Sequence, residues 1–295
     1  MGDRVIVRGP ITDPMWHLGR GRYRIRGGEM VVRFDNLDAD IALDARSDLA
    51  VRAIGDGVYE PEVLSVLPLL VGSGDAINVG ANVGVVAIVM RRAMMAGTRL
   101  LCVEPIEECV ERLRRNLASA GCDAGVTICR AFATDKPATA QEMWTVPGRP
   151  EYSSGGQLVH PSVTGAEHHS TVVPAARLDD VIAAEGLKPT SLVMDCEGGE
   201  FNALRGAMAM LSSSQPVIVM EFDPPLLRAN GCDAYSLIGF MADHGYACRS
   251  LANPPAPITE HFAGTVVAVP VSRIQWAESV MRNAFSASAA VESLR

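Results

Sequence analysis

No long run of basic residues crosses this sequence of 295 residues, and acids outnumber bases by 34 to 26. A nucleic-acid binder announces itself by a basic stripe or patch, so nucleic acid is not the expected partner. No two cysteines stand in C-x-x-C spacing, and their number, seven, is odd. Several lie in apolar runs such as Leu100-Leu101-Cys102-Val103, where a thiol acts as a small hydrophobe. That usage argues against a disulfide framework and fits a reducing, cytoplasmic setting. The opening MGDRVIVRGP lacks the apolar segment of an export signal, and Ile6 breaks the myristoylation pattern. The longest apolar run, Val83 to Met90, meets Arg91 and Arg92 far short of a membrane span. The chain therefore reads as soluble.

What is present is apolar residues enough for a sizeable core, 48% against 20% charged. Up to residue 57 the pattern is short strands and turns, with RYRIRGG, EMVVRF and DADIALD clustering around Gly and Asp. Val58-Tyr59-Glu60-Pro61-Glu62 then opens a helix, with proline in its first turn and acids at its positive end. From Asp75 strands and helices alternate. DAINV leads through a glycine turn into a helix reaching Met95, and RLLCV leads into a helix with Val110, Leu113 and Leu117 on one face and Gly121 as cap. GVTIC closes the third unit. The stretch 131–170 breaks the rhythm: EMWTV reads as a strand and the rest as a long loop, a lid or insertion.

The alternation resumes through VVPAARLDDVIAAEG, SLVMD, EFNALRGAMAML, PVIVMEF and AYSLIGFMADHG. YACRSL and GTVVAVP have no helix between them and are expected to pair antiparallel. SRIQWAESVMRNAF suits a C-terminal helix, with SASAAVESLR as a fraying tail. Ile274, Val280 and Met281 offer that helix an apolar seam for a second copy, hence a possible homodimer. The pattern predicts a mostly parallel sheet covered on both faces.

Asn78-Val79-Gly80-Ala81-Asn82-Val83-Gly84 stands at a strand-to-helix junction, where glycines permit close backbone approach and the helix offers its dipole. Glu104 ends the next strand, twenty residues after Gly84, where an acid can accept both hydroxyls of an adenosine ribose. A plain tight turn beside an exposed glutamate is the simpler alternative, but the joint placement favours a nucleoside site. No frame satisfies G-x-G-x-x-G, so a ligand without pyrophosphate, such as S-adenosylmethionine, fits better than NAD.

Asp195-Cys196-Glu197-Gly198-Gly199-Glu200 lies at a later strand-to-helix turn on the same rim of the sheet. Asp195 or Glu197 can take or orient an acceptor's proton, and with Glu221 they can hold a divalent cation, although no oxygen-ligand loop specifies a metal. Glu197 and Glu200 equally suit a helix's first turn. His160, His168 and His169 in the insertion offer another base, and Trp144 and Tyr152 a pocket wall. The Met-rich AMAML reads as core.

In order from Val58 to Phe222, the segments GVYEPEV, DAINVGANVG, CVEP with ERLRRNLASAG, ARLDDVI, LVMDCEGGEFNALRGA and PVIVMEF resemble the FkbM-type S-adenosylmethionine-dependent methyltransferases. The resemblance implies a Rossmann-like, seven-stranded class I methyltransferase sheet, mostly parallel with an antiparallel last strand. It divides the chain into an N-terminal β-rich extension (1–57), a methyltransferase domain (58–272, with the lid at 131–170) and a C-terminal helix and tail (273–295). It implies S-adenosyl-L-methionine held by Asn78, Gly80, Ala81, Asn82, Gly84 and Glu104. It further implies transfer to a hydroxyl oxygen; a small molecule such as a sugar, glycolipid or natural product fits as acceptor, and the rim position of Asp195 and Glu197 makes them the expected catalytic residues. Asn78 stands where the family generally has Asp, and Met194 where it tends to have Lys. Two rivals are an NAD-dependent oxidoreductase, against which the glycine spacing argues, and a non-catalytic module that keeps the fold.

Overall fold

The computed structural model describes residues 16–18, 21–26, 29–34, 37–55, 59–72, 74–136, 139–157 and 160–292. The opening MGDRVIVRGP, Val58 and the last three residues lie outside them. Strands Trp16–Leu18 (β1), Gly21–Arg26 (β2), Glu29–Phe34 (β3) and Ala39–Leu43 (β4) form an antiparallel meander. Helices Asp48–Gly55 (α1) and Pro61–Leu70 (α2) follow. The alternating part begins with Asp75–Val79 (β5), Val85–Ala93 (α3), Leu100–Val103 (β6), Glu107–Ser119 (α4) and Val126–Cys129 (β7). Phe132–Ala133 (β8), Ala140–Thr145 (β9) and His169–Ala176 (β10) form a separate small sheet. Leu178–Glu185 (α5), Pro189–Met194 (β11), Glu200–Arg205 (α6), Met208–Ser213 (α7) and Val217–Phe222 (β12) come next. The chain then runs through Pro224–Ala229 (α8), Ala234–Asp243 (α9), Tyr246–Ser250 (β13), Gly264–Pro270 (β14) and Ile274–Glu292 (α10).

The main sheet has seven strands in the order β13-β14-β12-β11-β5-β6-β7. All are parallel except β14, which pairs antiparallel with both β12 and β13, so the expected closing hairpin is present. Successive residues feed opposite faces, which is why the inner strands are apolar throughout. Val193, Val219 and Val267 join a core with α2, α3, α10 and the N-terminal meander. Leu192, Met194 and Met220 join another with α5, α6, α7 and α9. Strand order reverses between β5 and β11, and the carboxyl ends beside such a reversal are where ligands bind in open α/β sheets.

Several local expectations are corrected. The stretch before residue 57 contains a helix, α1, whose Ala50 amide is capped by Ser47 Oγ at 3.2 Å and whose Leu49, Ala50 and Ala53 are buried. The helix expected over EFNALRGAMAML breaks at Gly206, where a side chain would overlap the carbonyl of Thr134, and Asp179 caps the second half through the amides of Ala209 and Met210. In that half Met210 and Leu211 are core, but Met208 is 39% exposed. Helix α8 starts on Asp223, which caps the Leu226 amide at 3.0 Å ahead of two prolines. Helix α10 continues to Glu292 through the expected tail. Its seam is used within the chain: Met281 is fully buried, and Ile274 and Val280 pack on the same core as α2. The insertion is folded more than a loop, with β9 antiparallel to β10 over six residue pairs. The seven cysteines are all free thiols, and among the described residues no helix is long and apolar enough to cross a membrane.

One buried side chain ties the N-terminal meander to the turn after β5. Asn116 on α4 accepts from the Ala42 amide (2.9 Å) and donates to the carbonyls of Ala42 (3.1 Å) and Val83 (2.8 Å). Replacing it leaves the buried Val83 carbonyl unpaired, at about 1–3 kcal/mol, and takes two further bonds from the half-buried backbone of Ala42. Asn116→Ala should therefore lower unfolding stability by about 2–4 kcal/mol in urea titration. A loss below about 0.5 kcal/mol, the ordinary surface-mutation scale, would show that the bridge carries no load.

Candidate active site

The glycine turn after β5 is built against its neighbours. Gly80 has φ +72°, and a side chain there would overlap the carbonyl oxygen of Asp195. The amides of Gly80 and Ala81 both donate to Val103 O, at 2.9 and 3.2 Å, which ties the turn to the end of β6. Gly84 has φ +97°, and a Cβ on it would lie 2.6 Å from Leu113 Cδ1 of α4. Both glycines thus serve contacts within the protein, while also lining the pocket that opens above them.

The residues expected to hold a cofactor come together in that pocket: Asn78, Gly80, Ala81, Asn82, Gly84 and Glu104 all line it. Asn78 is 2% exposed; its Nδ2 donates weakly to Val193 O at 3.4 Å, and its Oδ1 has no hydrogen-bond partner. Glu104, 5% exposed, accepts from the Asn82 amide at Oε2 (2.8 Å) and the Ile106 amide at Oε1 (3.0 Å). Burial pushes its pKa up to about 7 against the pull of those two amides. Each oxygen keeps a further lone pair.

The second turn brings Asp195 and Glu197 into the same pocket, with Glu221 from the end of β12. One carboxylate oxygen from each of the three lies within 4.8 Å of the others. Asp195 is open to solvent through the pocket yet enclosed by protein, and this desolvation is the main cause of its raised pKa. Glu221 rises for the same reason and through the charges of Asp195 and Glu197, and a hydrogen bond couples it to Asp195. Glu197 is also raised, first by burial and then by Asp195. It stands at φ +51°, with its carbonyl held by Ser154 Oγ (3.2 Å) and Asn230 Nδ2 (3.0 Å). Glu200 plays a different part: it is buried and turns back to accept from the Cys196 amide at 2.7 Å.

Glu60 and Ser153 are among the contributors that escaped the sequence reading. Glu60, read as a helix-start acid, adopts φ +32° with no side-chain cap, lines the pocket, and has its pKa raised to about 7 by burial and by Asp195. Ser153, from the insertion, is 9% exposed with an unpartnered Oγ at the pocket wall. The only local signal for Glu60 was the Tyr59-Glu60-Pro61 run; for Ser153 there was none. Of the aromatics, Tyr152 lines the pocket, its ring stacked 4.4 Å from His160 and its hydroxyl donating to Asp48 Oδ2 at 2.5 Å. His160 also lines it, with Nδ1 accepting from the Ser162 amide at 3.2 Å. That bond occupies the Nδ1 lone pair, so a neutral His160 carries its proton on Nε2. His168, His169 and Trp144 are not among the pocket-lining residues; both histidines are exposed.

Among solved structures, the chain is similar to methyltransferase FkbM from Methylobacillus flagellatus KT, with 17% identity over 67% of this chain and a TM-score of 0.42. It spans 43% of that protein's length. An O-methyltransferase from Bacillus cereus in complex with SAH is 15% identical over 76% of this chain and 86% of its own, TM-score 0.44. The O-methyltransferase TomG from Streptomyces achromogenes, involved in tomaymycin synthesis and solved with SAM, is 15% identical over 72% and 79%, TM-score 0.43. No curated protein matches the chain. The methyltransferase FkbM domain matches residues 78–248, more than half of the sequence and the stretch that builds both turns of the pocket, and the chain belongs to that family.

Proposed function

We propose that the protein transfers a methyl group from S-adenosylmethionine to a hydroxyl oxygen of a small molecule, such as a sugar, a glycolipid or another natural product, in a reducing cytoplasm. The observation that carries this reading is Glu104: a buried carboxylate at the end of β6, fixed by two backbone amides and facing a pocket in a methyltransferase domain. Its remaining lone pairs suit vicinal ribose hydroxyls, and the unpartnered Asn78 Oδ1 suits an ammonium group. When bound, the cofactor supplies an electrophilic sulfonium methyl.

The rest falls to the chain's own residues. Gly80, Ala81, Asn82 and Gly84 shape the floor beneath the cofactor. Asp195 takes or orients the acceptor's hydroxyl proton, with Glu197 beside it. Tyr152, Ser153 and His160 roof the pocket from the 131–170 segment, which acts as a lid that excludes water from the transfer. The catalytic unit spans 58–272, with the N-terminal meander bracing it through Asn116 and the C-terminal helix beginning at 273. Incubation with isotopically labelled S-adenosylmethionine and extract of the source organism, followed by mass spectrometry, tests the reading. A labelled ether product is expected, and label on nitrogen or carboxylate alone would refute the hydroxyl assignment.

Glu104→Ala should weaken S-adenosylmethionine binding by about 1.5–3 kcal/mol in calorimetry, the scale of hydrogen bonds to a charged group. Because the Glu104 pKa is raised to about 7, the carboxyl is protonated at lower pH and the cofactor must displace that proton. Affinity should therefore rise from pH 6 to pH 8, and the variant should lose that slope. Identical pH dependence in a folded variant removes Glu104 from the site.

Asp195→Asn keeps the shape and removes the charge. Turnover should fall on the order of a hundredfold or more, the scale of general-base loss, while cofactor affinity stays within a few-fold. Normal turnover with weakened binding would move Asp195 to the cofactor.

Hydrogen exchange across residues 139–157 and 160–170 should slow when S-adenosylhomocysteine and acceptor bind. Equal, strong protection in the empty protein would make the segment a fixed brace.

A further inference from the structure

The chain contributes to the pocket well before residue 78, where the matched domain begins: Asp48, Leu49 and Arg52 of α1 line it. Asp48, the first residue of that helix, is joined to the 131–170 insertion by three links. Its Oδ2 accepts from the Tyr152 hydroxyl at 2.5 Å, its amide donates to Glu151 Oε1 at 2.6 Å, and its Oδ1 lies 3.8 Å from the Arg149 guanidinium. Tyr152 is seated as well, buried with Val146 and Val163. Burial and the bond to Asp48 push its pKa up to about 12, so the hydroxyl keeps its proton and donates it to the carboxylate.

This order is passed on to His160, which also lines the pocket. Its ring stacks on Tyr152, with centroids 4.4 Å apart and planes 28° from parallel. Its Nδ1 accepts from the Ser162 amide at 3.2 Å, and the Ser162 carbonyl accepts from Arg149 Nη1 at 2.6 Å. Asp48 therefore reaches His160 by two routes, through Tyr152 to the face of the ring and through Arg149 and Ser162 to its edge. With Nδ1 taken, the neutral ring carries its proton on Nε2, and among the described residues Nε2 has no hydrogen-bond partner. An N–H in that state cannot take a proton, so the ring serves as a donor rather than as a base. The carboxylates of the same pocket, when charged, offer acceptors only. A ligand that gives a hydroxyl proton toward Asp195 and carries another oxygen finds in His160 the donor that those acids lack.

We propose that Asp48 is a positioning residue for the methyl acceptor: through Tyr152 and Arg149 it fixes the His160 ring so that Nε2–H donates to an acceptor oxygen other than the one methylated. The acceptors selected are hydroxyl compounds with a second oxygen, a carbonyl, ether or further hydroxyl, near the reacting one. A site built to bond such an atom rejects the analogue that lacks it. The proposal rests on the methyl-transfer reading, and it gives the N-terminal segment a share in acceptor choice.

The first test needs no acceptor. Nitrogen-15 NMR of the neutral His160 ring in the full chain should show the Nε2–H tautomer in the parent and both tautomers in Asp48→Ala. Mixed tautomers in the parent, or no change in the variant, overturn the proposal. The second uses serial dilutions of the extract fraction that takes label from S-adenosylmethionine. His160→Ala should need about tenfold more of it for half-saturation, with kcat within about twofold and S-adenosylhomocysteine affinity unchanged in calorimetry. Asp48→Ala should behave alike, and the double variant should be no worse than either single one. Asp48→Asn keeps an oxygen for the Tyr152 hydroxyl and should retain most of the parent's affinity; with His160→Ala it keeps the test readable if Asp48→Ala does not fold. Half-saturation of His160→Ala at the parent's level overturns the proposal and leaves methyl transfer standing. Equal weakening of S-adenosylhomocysteine and acceptor would reduce the clasp to a structural brace and overturn it too. No label transfer by the parent sinks the methyl-transfer reading, and the acceptor role falls with it.

Discussion

A carbonyl oxygen occupies the place where residue 80 would carry its side chain. The contact between Gly80 and Asp195 lets the turn after β5 and the turn after β11 share one space at the reversal of strand order. The Asp195 amide donates to Val79 O at 3.1 Å, extending the β5–β11 pairing to the brink of the pocket. From the other side Val103 O accepts from Gly80 and Ala81, which brings Glu104 beside the same turn. Residues distant in sequence thus meet because a backbone without a side chain lets two strands approach at their ends. Alanine at this point would wedge them apart and, at φ +72°, would also be strained.

Crowding acids at the ends of three parallel strands has an electrostatic cost, met differently at each. Glu104 and Glu200 accept backbone amides, which favour the charged form against burial. Asp195 and Glu221 hydrogen-bond to each other instead. Glu197 has neither remedy for its carboxylate: its held group is its carbonyl, and its backbone is in the left-handed region. A left-handed backbone and a buried carboxyl whose pKa is pushed up to about 9 meet on this one residue, which marks it as a functional candidate.

The sheet was legible because its strands are short apolar runs at regular spacing, and the two turns because glycine and acid follow each strand end. DAINV, RLLCV, GVTIC, SLVMD and PVIVMEF all lie on observed strands. What stayed hidden depends on contacts between distant segments. Glu60 suits a helix start in any sequence; only the fold puts it on the wall of the pocket that Asp195 also lines. Asn116 sits among the Arg and Leu residues of a helix, and nothing local says that its amide meets Ala42. The break at Gly206 is decided by the Thr134 carbonyl, seventy-two residues earlier. Gly84 reads in the sequence as room for a ligand, and its missing side chain also makes room for Leu113. Glycine in a sequence says that something comes close, not what.

The two departures from the family pattern can be weighed on the same terms. Met194 is 1% exposed and belongs to the core with α6, α7 and α9, on the face of β11 opposite Val193 and Asp195. A lysine exchanged for methionine there changes the packing beneath the sheet and leaves the pocket's own ring of acids as it stands. Asn78 lies on the pocket face, one pleat inward from Asp195 and Glu221. A carboxylate in its place would add another buried like charge to a group whose pKa values are already raised by burial and by one another. The amide keeps the acceptor oxygen and drops the charge. It therefore offers a ligand's donor the same bond while leaving any positive charge in the pocket to be drawn toward Asp195 and its neighbours, where the acceptor and the methyl group are proposed to meet.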